Sequence, residues 1–517
     1  MAGIAGYFSR ISDGGAAREF LSRAALAMGC GDQETFDYFV GRKLGVLHTG
    51  RTHAIVHSRS SVTNNSVGII SDGPVFSGSR VISDQDELAH LCGSFDPQVW
   101  SSLLPHGRLV CWDSAEEAIL LSRGLGAPLY LVDTDKYVAF ASDLSVLIRA
   151  LDRPVDLDFE SLNDLLAIGF LPGHTSPFRG VGKARANSWI RVSTRGTSHW
   201  PVDETPIPPG KFTDFLAGLT GGAGPTAIHL RGNRRDCALA SIWRNDDTMA
   251  VFRDDDSGAI DRRGWIAAAA QPGPVLVEVP SEAPGEAAYP VVGTEPVVSC
   301  ESIDFMTIAR SVPSPVTTWV SSVSAPSFAG PGCGDALPLF ASVENWRIPA
   351  AGIENLIRRP IPSPNLDRNR FSMLGHRSDS DPAHLIRLTE RHVLPIAAAA
   401  DRLGLRTVFP FADPRIDPLA VFAELPFSKT ELLRGKADDI TISSPDSVML
   451  TRIDRLDAAL DRGVPQPLSS LLDADGLQAL SLRWRNGEWH YSEALLRAHE
   501  LLEWHESITN VFSGGEA

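Results

Sequence analysis

Leu109–Ala141 reads LVCWDSAEEAILLSRGLGAPLYLVDTDKYVAFA. Four apolar segments stand in it: Leu109–Trp112, Ala118–Ser122, Pro128–Val132 and Val138–Ala141. Turn residues separate them at about 8–10 residues, the spacing of an antiparallel meander or sandwich. Toward the N-terminus, IAGYF at 4–8, Gly45–His48 and Ala54–His57 read as further short strands. Val67–Ser71 is another, stopped by the turn Asp72-Gly73-Pro74. Residues 84–92, DQDELAHLC, read as a helix with Ser83 as its N-cap, and residues 160–167, ESLNDLLA, as a second helix.

Toward the C-terminus the pattern changes. Trp200–Gly210, WPVDETPIPPG, is too rich in proline for a regular element, and Gly221–Pro225 is a glycine-rich break. These stretches place a first domain at 1–200, a linker at 201–224 and a second domain at 225–517. Thr226–Leu230 is a buried-type strand, followed by a glycine-containing turn and a helix at Ala238–Trp243. Met249–Phe252 and Pro274–Val279 read as strands flanking a helix at Asp261–Ala270. Such alternation predicts βαβ units and a parallel sheet. From Asp381 onward the chain reads as mainly helical, with long periodic stretches at Arg387–Leu403 and Ser492–Ile508. In the latter, Leu495, Ala498, Leu501, Leu502 and Ile508 share one face, with Arg497, Glu500 and Glu503 opposite. Trp484, Trp489 and Trp504 are expected to pack these helices together. The fold class expected is α/β: an antiparallel sandwich, then a doubly wound parallel sheet with a helical C-terminal part.

Composition bounds the function. The chain has 517 residues, 43% hydrophobic and 21% charged, which is ordinary for a globular protein of two or three domains. No apolar run reaches the roughly 18–20 residues that cross a bilayer. The opening MAGIAGYFSR carries no basic region before an apolar core, so a cytoplasmic location without a leader is expected. With 47 Lys and Arg against 63 Asp and Glu, the net charge is −16. An acidic chain repels phosphate backbones, which argues against nucleic-acid partners. The cysteines at 30, 92, 111, 237, 300 and 333 form no CxxC pair, so neither a zinc ribbon nor a disulfide framework is expected.

Several ordered segments resemble the asparagine synthetase family, which includes the β-lactam synthetases and lasso-peptide cyclases. Met1–Phe8, MAGIAGYF, is similar to the family opening MCGIAGxF. Residues 122–130, SRGLGAPLY, are similar to ARDxxGxxPLYY, and residues 140–144, FASDL, to FASExK. Gly169–Gly182 is similar to GYxPxPxTxFxGVxK, and Gly404–Asp413, GLRTVFPFAD, to GLEVRVPFLD. Leu425-Pro426 fits the family's later LP. The resemblance implies an N-terminal nucleophile (Ntn) glutaminase-type domain and then an ATP-pyrophosphatase-type synthetase domain using ATP and Mg²⁺.

The same resemblance exposes losses. The family's nucleophilic cysteine is Ala2, and a methyl group cannot form a thioester. Its glutamine-holding NGE is Asp72-Gly73-Pro74. Its pyrophosphate loop SGGxDS falls on Arg231-Gly232-Asn233-Arg234-Arg235-Asp236, so the metal-holding aspartate becomes Arg235. A one-residue shift puts Asp236 in the metal role but spoils the glycine turn. Asp335 in the loop 330–337 stands where a second Mg²⁺ ligand belongs, followed by Ala336. The glutamate of GLEVR is Arg406, and the lysine of the late R-x-K is Asp454. Arg231, Arg234 and Arg235 could cradle an anion at a helix N-terminus, or form a solvated or salt-bridged loop.

Three readings follow, the third keeping the cleft for different, non-ATP chemistry. In the first, glutaminase and adenylation activities are lost and no cofactor is bound. The chain then serves as a non-catalytic partner of an active paralogue, or as a subunit binding a peptide or small molecule, in amide-forming biosynthesis. In the second, a rebuilt loop of Arg231, Gly232, Arg234, Arg235 and Asp236, with Asp335, supports an ATP- and Mg²⁺-dependent amide ligase or macrocyclase. Elsewhere the expectations are structural. His48, His53 and His57 read as half-buried histidines, Cys237 and Cys333 as without catalytic partners, Asp254–Asp256 as an exposed turn, and Asp143 and Asp413 as capping or turn residues.

Overall fold

A computed structural model describes residues 3–11, 14–29, 36–49, 56–59, 66–82, 84–113, 115–124, 128–151, 153–171, 173–202, 212–220, 224–230, 248–253, 275–279, 295–296, 300–312, 316–321, 393–410, 413 and 445–512. The chain opens with β1 (Gly3–Ser9), α1 (Gly14–Ala27), β2 (Phe36–Val40), β3 (Leu44–Thr49), β4 (Val56–Arg59) and β5 (Ser66–Ser71). Next come β6 (Val75–Ser77), β7 (Arg80–Ile82), α2 (Gln85–Gly93), α3 (Pro97–Ser101), β8 (Leu103–Pro105) and β9 (Arg108–Asp113). Then follow β10 (Ala118–Arg123), β11 (Tyr130–Asp133), β12 (Tyr137–Ala141), α4 (Leu144–Ala150) and α5 (Phe159–Ile168). The antiparallel part ends with β13 (Gly182–Lys183), β14 (Ser188–Ser193) and β15 (Gly196–Pro201).

The expected meander is two six-stranded sheets, ordered β13-β11-β12-β1-β3-β2 and β15-β14-β10-β9-β5-β4. Side chains alternate across each strand, which explains the layering. Ile4 and Phe8 of β1 pack with Val110 and Trp112 of β9 between the sheets. Ala5 of β1 faces the other way, onto α1 and α4 through Phe20, Ala24 and Leu147. Leu109 and Cys111 of β9 likewise turn outward onto Leu88 and Cys92 of α2 and Trp100 of α3. The result is helix–sheet–sheet–helix layering, with a small sheet β7-β6-β8 beside it.

The second sheet system is parallel. After α6 (Phe212–Thr220), which lies within the expected linker, come β16 (Thr226–Leu230), β17 (Thr248–Arg253) and β18 (Val275–Val279). They are followed by α7 (Cys300–Ser311), β19 (Thr318–Val320), α8 (Leu394–Arg402) and β20 (Arg406–Val408). The order β18-β17-β16-β19-β20 reverses direction between β16 and β19. Every pair in this sheet is parallel. Its core joins Ile228, Val251 and Trp319 to Phe215 of α6, Phe305 of α7 and Ile396 of α8, and also takes in Phe76 from β6.

The chain closes with α9 (Pro445–Arg462), α10 (Ala474–Arg485) and α11 (Ser492–Phe512). These helices share one apolar cluster with α5 and the outer face of the first sheet. The apolar face expected on α11 is buried, and so, against expectation, are Arg497 and Glu500. Arg497 donates to the carbonyls of Leu166 (3.0 Å) and Ala167 (2.8 Å), at the electronegative end of α5. Gly169, at φ +83°, ends α5 in the left-handed conformation and leaves room for that guanidinium. The N-cap of α2 is Asp84 rather than Ser83; its carboxylate accepts from the Asp86 amide at 2.9 Å. Trp484 and Trp504 are buried as expected, but Trp489 is 57% exposed. Among the described residues, no helix is long and apolar enough to cross a membrane.

Candidate functional site

In open parallel sheets, ligands lie outside the carboxyl ends of the strands where the order reverses. Here the order reverses between β16 and β19, beyond Leu230 and Val320. Arg231 follows Leu230, the last residue of β16, in the sequence. Arg231, Gly232, Arg234, Arg235, Asp236 and Asp335 themselves lie outside the described residues, as do Ala2, His53, Cys237, Asp254–Asp256 and Cys333.

The two remaining site positions are far from that point in kind. Arg406 opens β20 in register with Thr318 and hence with Thr226, at the amino end of the sheet. Four residues of strand separate Thr226 from Leu230, about 13 Å. Arg406 turns toward α6 and donates to the Leu219 carbonyl, and burial lowers its pKa to about 10 against the pull of Asp72. Asp454 stands exposed on α9 and pairs with Arg485 at 2.5 Å. Arg406 and Asp454 belong to different layers.

The polar cluster that joins the two sheet systems takes Asp72 and Asp413 from family-like segments, whereas Arg108 and Asp401 lie in none. Its frame is a close crossing of two turns, Asp72-Gly73-Pro74 after β5 and His106-Gly107 before β9. A Cβ at Gly73 would fall 2.6 Å from the Gly107 nitrogen, so both positions require glycine. The His106 amide donates to the Pro74 carbonyl at 2.9 Å, and the Asp72 amide to the Arg108 carbonyl at 3.1 Å. This crossing turns the Asp72 carboxylate onto the Arg108 backbone amide and Nε. Arg108 then reaches across to Asp401 of α8, Nη2 to Oδ2 at 3.0 Å. A second contact runs beside it, His106 Nε2 to Asp413 Oδ2 at 3.0 Å. Phe76 meets His106 and Phe215 at centroid distances of 4.9 Å each, sealing this seam with apolar rings.

Electrostatics at the seam are unbalanced. Burial pulls the Arg108 guanidinium down, but Asp401 and Asp72 outweigh it and hold the group charged. Burial pushes Asp401 up to about 6; Arg108 opposes this, and Asp72 and Asp143 reinforce it. Arg108 is thus shared between Asp72 and Asp401. Asp143 caps α4, accepting from the Ser145 amide at 2.8 Å, so its capping role agrees with expectation.

A second buried cluster lies between α9 and α11. Arg452 pairs with Glu500. His499 Nδ1 is 3.6 Å from Glu500, and its Nε2 is 3.3 Å from Glu503. Burial, then Arg452 and Arg455, lowers the His499 pKa to about 3, so its ring is neutral at physiological pH. His499, Glu500 and Glu503 offer ligand atoms within 4.8 Å of one another. Arg452 already occupies Glu500, however, and two guanidinium groups repel any added cation, so the cluster reads as a structural ion network. Cys92 and Cys111 are free and buried, and burial pushes the Cys111 thiol up, which makes it unreactive.

No family model matches the chain, and no curated protein does. Among solved structures, the chain is similar to one described as the allosteric regulatory enzyme of purine biosynthesis. That match has 10% identity and a TM-score of 0.26, covering 55% of this chain and 81% of the other. It is also similar to glutamine phosphoribosylpyrophosphate amidotransferase from B. subtilis complexed with ADP and GMP, at 12% identity and a TM-score of 0.27, covering 64% and 83%. At such TM-scores the likeness is loose and identifies neither a family nor an activity.

Proposed function

We propose that this chain is a degenerate asparagine-synthetase-like protein: an Ntn-type first domain without a nucleophile, joined to an ATP-pyrophosphatase-type domain without its adenylation machinery. It acts as a non-catalytic partner or substrate-binding subunit in amide-forming biosynthesis. The observation that carries this reading is the Asp72–Arg108–Asp401 chain. Asp72 stands where the family's glutamine-holding asparagine would be, and its carboxylate is committed to Arg108 and a backbone amide. Ala2 removes the thiol as well, so two separate requirements of glutamine hydrolysis are missing.

Ammonia release from glutamine tests this reading on the native chain and on Ala2→Cys. Neither is expected to hydrolyse glutamine; recovery of hydrolysis by Ala2→Cys alone would contradict the commitment of Asp72. Co-expression with an SGGxDS-bearing paralogue is expected to yield a hetero-oligomer, and a lone monomer active by itself would count against the partner role.

A second reading is favoured by one feature, the arginines that begin where β16 ends. If the chain binds ATP, Arg231, Arg234 and Arg235 would hold phosphate, and Asp236 or Asp335 would hold Mg²⁺. Calorimetry showing no ATP binding would remove this reading.

A further inference from the structure

We propose that β2 is a self-association edge, to which a second copy of this chain adds its own β2, antiparallel, about a two-fold axis at Tyr38. β2 is an edge strand of the first six-stranded sheet, with β3 as its neighbour. It reads FDYFV, and Phe36, Asp37 and Tyr38 are all exposed. Tyr38 is 64% exposed and its ring lies 6.0 Å from that of Phe36, centroid to centroid. Edge strands that resist pairing carry Lys, Pro, bulges or inward-pointing charges. β15, an edge of the second sheet, is closer to that kind: it reads GTSHWP and ends at Pro201. β2 holds no Lys, Pro or Gly, and Asp37 is its one charge.

Hydrogen-bond alternation decides which groups this edge offers. The Gly41 amide donates to the Leu44 carbonyl at 2.8 Å, closing the hairpin from β2 to β3. Bonded and non-bonded pairs alternate along an antiparallel ladder, so Phe39–Val46 and Asp37–His48 are the next bonded pairs. The backbone N–H and C=O groups of Phe36, Tyr38 and Val40 therefore point away from β3. They have no hydrogen-bond partner among the described residues. These are alternate residues with Tyr38 in the middle, so the edge complements its own reverse. With the axis at Tyr38, Phe36 of each copy faces Val40 of the other, and Tyr38 faces Tyr38. Each pair then exchanges both of its N–H···O bonds. The three side chains share one face of the sheet, so the aromatic rings meet in a strip across the axis. Asp37 comes to lie opposite Phe39. An axis at Asp37 would set two carboxylates directly opposite, which is destabilising. An axis at Phe39 would leave Phe36 unpaired. The occupant is thus a second copy, because the same five residues supply both halves in one register. So short an edge makes a small interface, and a weak, reversible dimer dissociating between about 1 µM and 1 mM is expected. Pairing of β2 does not depend on whether adenylation survives.

The test is sedimentation equilibrium of the full chain from about 1 µM to about 300 µM. Salt at ~0.15 M, with a Debye length of about 8 Å, screens the charge of −16 on each copy. The apparent mass is expected to rise from one chain toward two. Residue-resolved amide exchange over the same concentrations should increasingly protect Phe36, Tyr38 and Val40 and leave Asp37 and Phe39, already bonded to β3, nearly unchanged. Tyr38→Lys sets two ammonium groups opposite each other and should raise the dissociation constant about tenfold or more. Tyr38 is exposed, so the far-ultraviolet dichroism of that variant at low concentration should match the native chain. Asp37→Asn should leave the dimer as it is. A chain that stays monomeric up to about 300 µM would overturn the proposal. So would a dimer that Tyr38→Lys leaves intact, or one that Asp37→Asn tightens about tenfold, which belongs to the Asp37 axis. A rise in mass only when a different protein is added would overturn it as well.

Discussion

The seam around Arg108 and the helical network around Arg452 each bury a guanidinium with two or more carboxylates, yet they meet the cost of burial differently. Between α9 and α11, Arg452 and Arg455 face Glu500 and Glu503, and the intervening His499 is neutral. Charge is matched there, and the partners sit on adjacent helices within one apolar cluster. At the seam, Arg108 of β9 bridges Asp72, just after β5, and Asp401 of α8, so the partners come from separate layers. Matched charge suits a permanent core. The seam instead sets one ion-paired guanidinium between two layers.

Breaking the helical network should have the largest effect. Arg452→Met leaves Glu500 buried without its partner and should lower unfolding stability by about 3–5 kcal/mol in urea titrations. Arg452→Met with Glu500→Leu should recover most of that loss, because both charges then leave the core. A double variant no better than the single one would mean that the pair contributes more than mutual compensation.

His499 and Asp401 should respond to pH with opposite signs, while Glu503, raised by burial, follows the sign of Asp401. The folded-state pKa of His499 is lowered to about 3, below its ordinary value of about 6.5. The unfolded chain therefore takes up a proton first, and the contribution of His499 is present above pH ~6.5 and lost as pH falls toward 3. The slope is up to ~1.4 kcal/mol per pH unit. His499→Gln should flatten stability over that window in urea titrations at stepped pH. Asp401 works the other way between pH ~4 and 6, because its folded pKa is raised.

Gly107→Ala sharpens the seam side. Its Cβ would press on Asp72 and on the Gly73 nitrogen at 2.6 Å, costing about 1–3 kcal/mol and displacing the carboxylate that holds Arg108. Thermal unfolding should show the loss, and no comparable glycine crossing underlies the described part of the helical network. The smallest effect belongs to Asp454→Ala. Its carboxylate is exposed and its partner Arg485 also pairs with Asp457, so the unfolding midpoint should not move measurably.

Period and punctuation made much of the fold legible. Short apolar runs between turn residues located β1, β3, β9, β10 and β12, and β16 runs from Thr226 to Leu230 as its apolar run suggests. The order reversal at β16 and β19 was not readable, because strand order depends on which buried strands neighbour one another, and their sequences are alike in kind. The polar face of α11 misled for a related reason: Arg497 and Glu500 look solvated until α5 and α9 supply a carbonyl end and a guanidinium. Arg108 and Asp401 carried no local signal. Nothing at 108 or 401 alone marks a site; only the crossing of Gly73 and Gly107 brings them together. Arg406 and Asp454 could be matched to family positions by sequence, but register and exposure place one at the amino end of the parallel sheet and the other on the surface of α9.

The proposed loss of adenylation is tested most directly by Mg²⁺-dependent ATP–pyrophosphate exchange with a panel of carboxylate substrates. Exchange at the no-protein background is the result expected from a loop in which Arg235 replaces the metal-holding aspartate. Clear Mg²⁺-dependent exchange with any carboxylate, abolished by substituting Asp236 or Asp335, would contradict it and establish the amide-ligase reading instead.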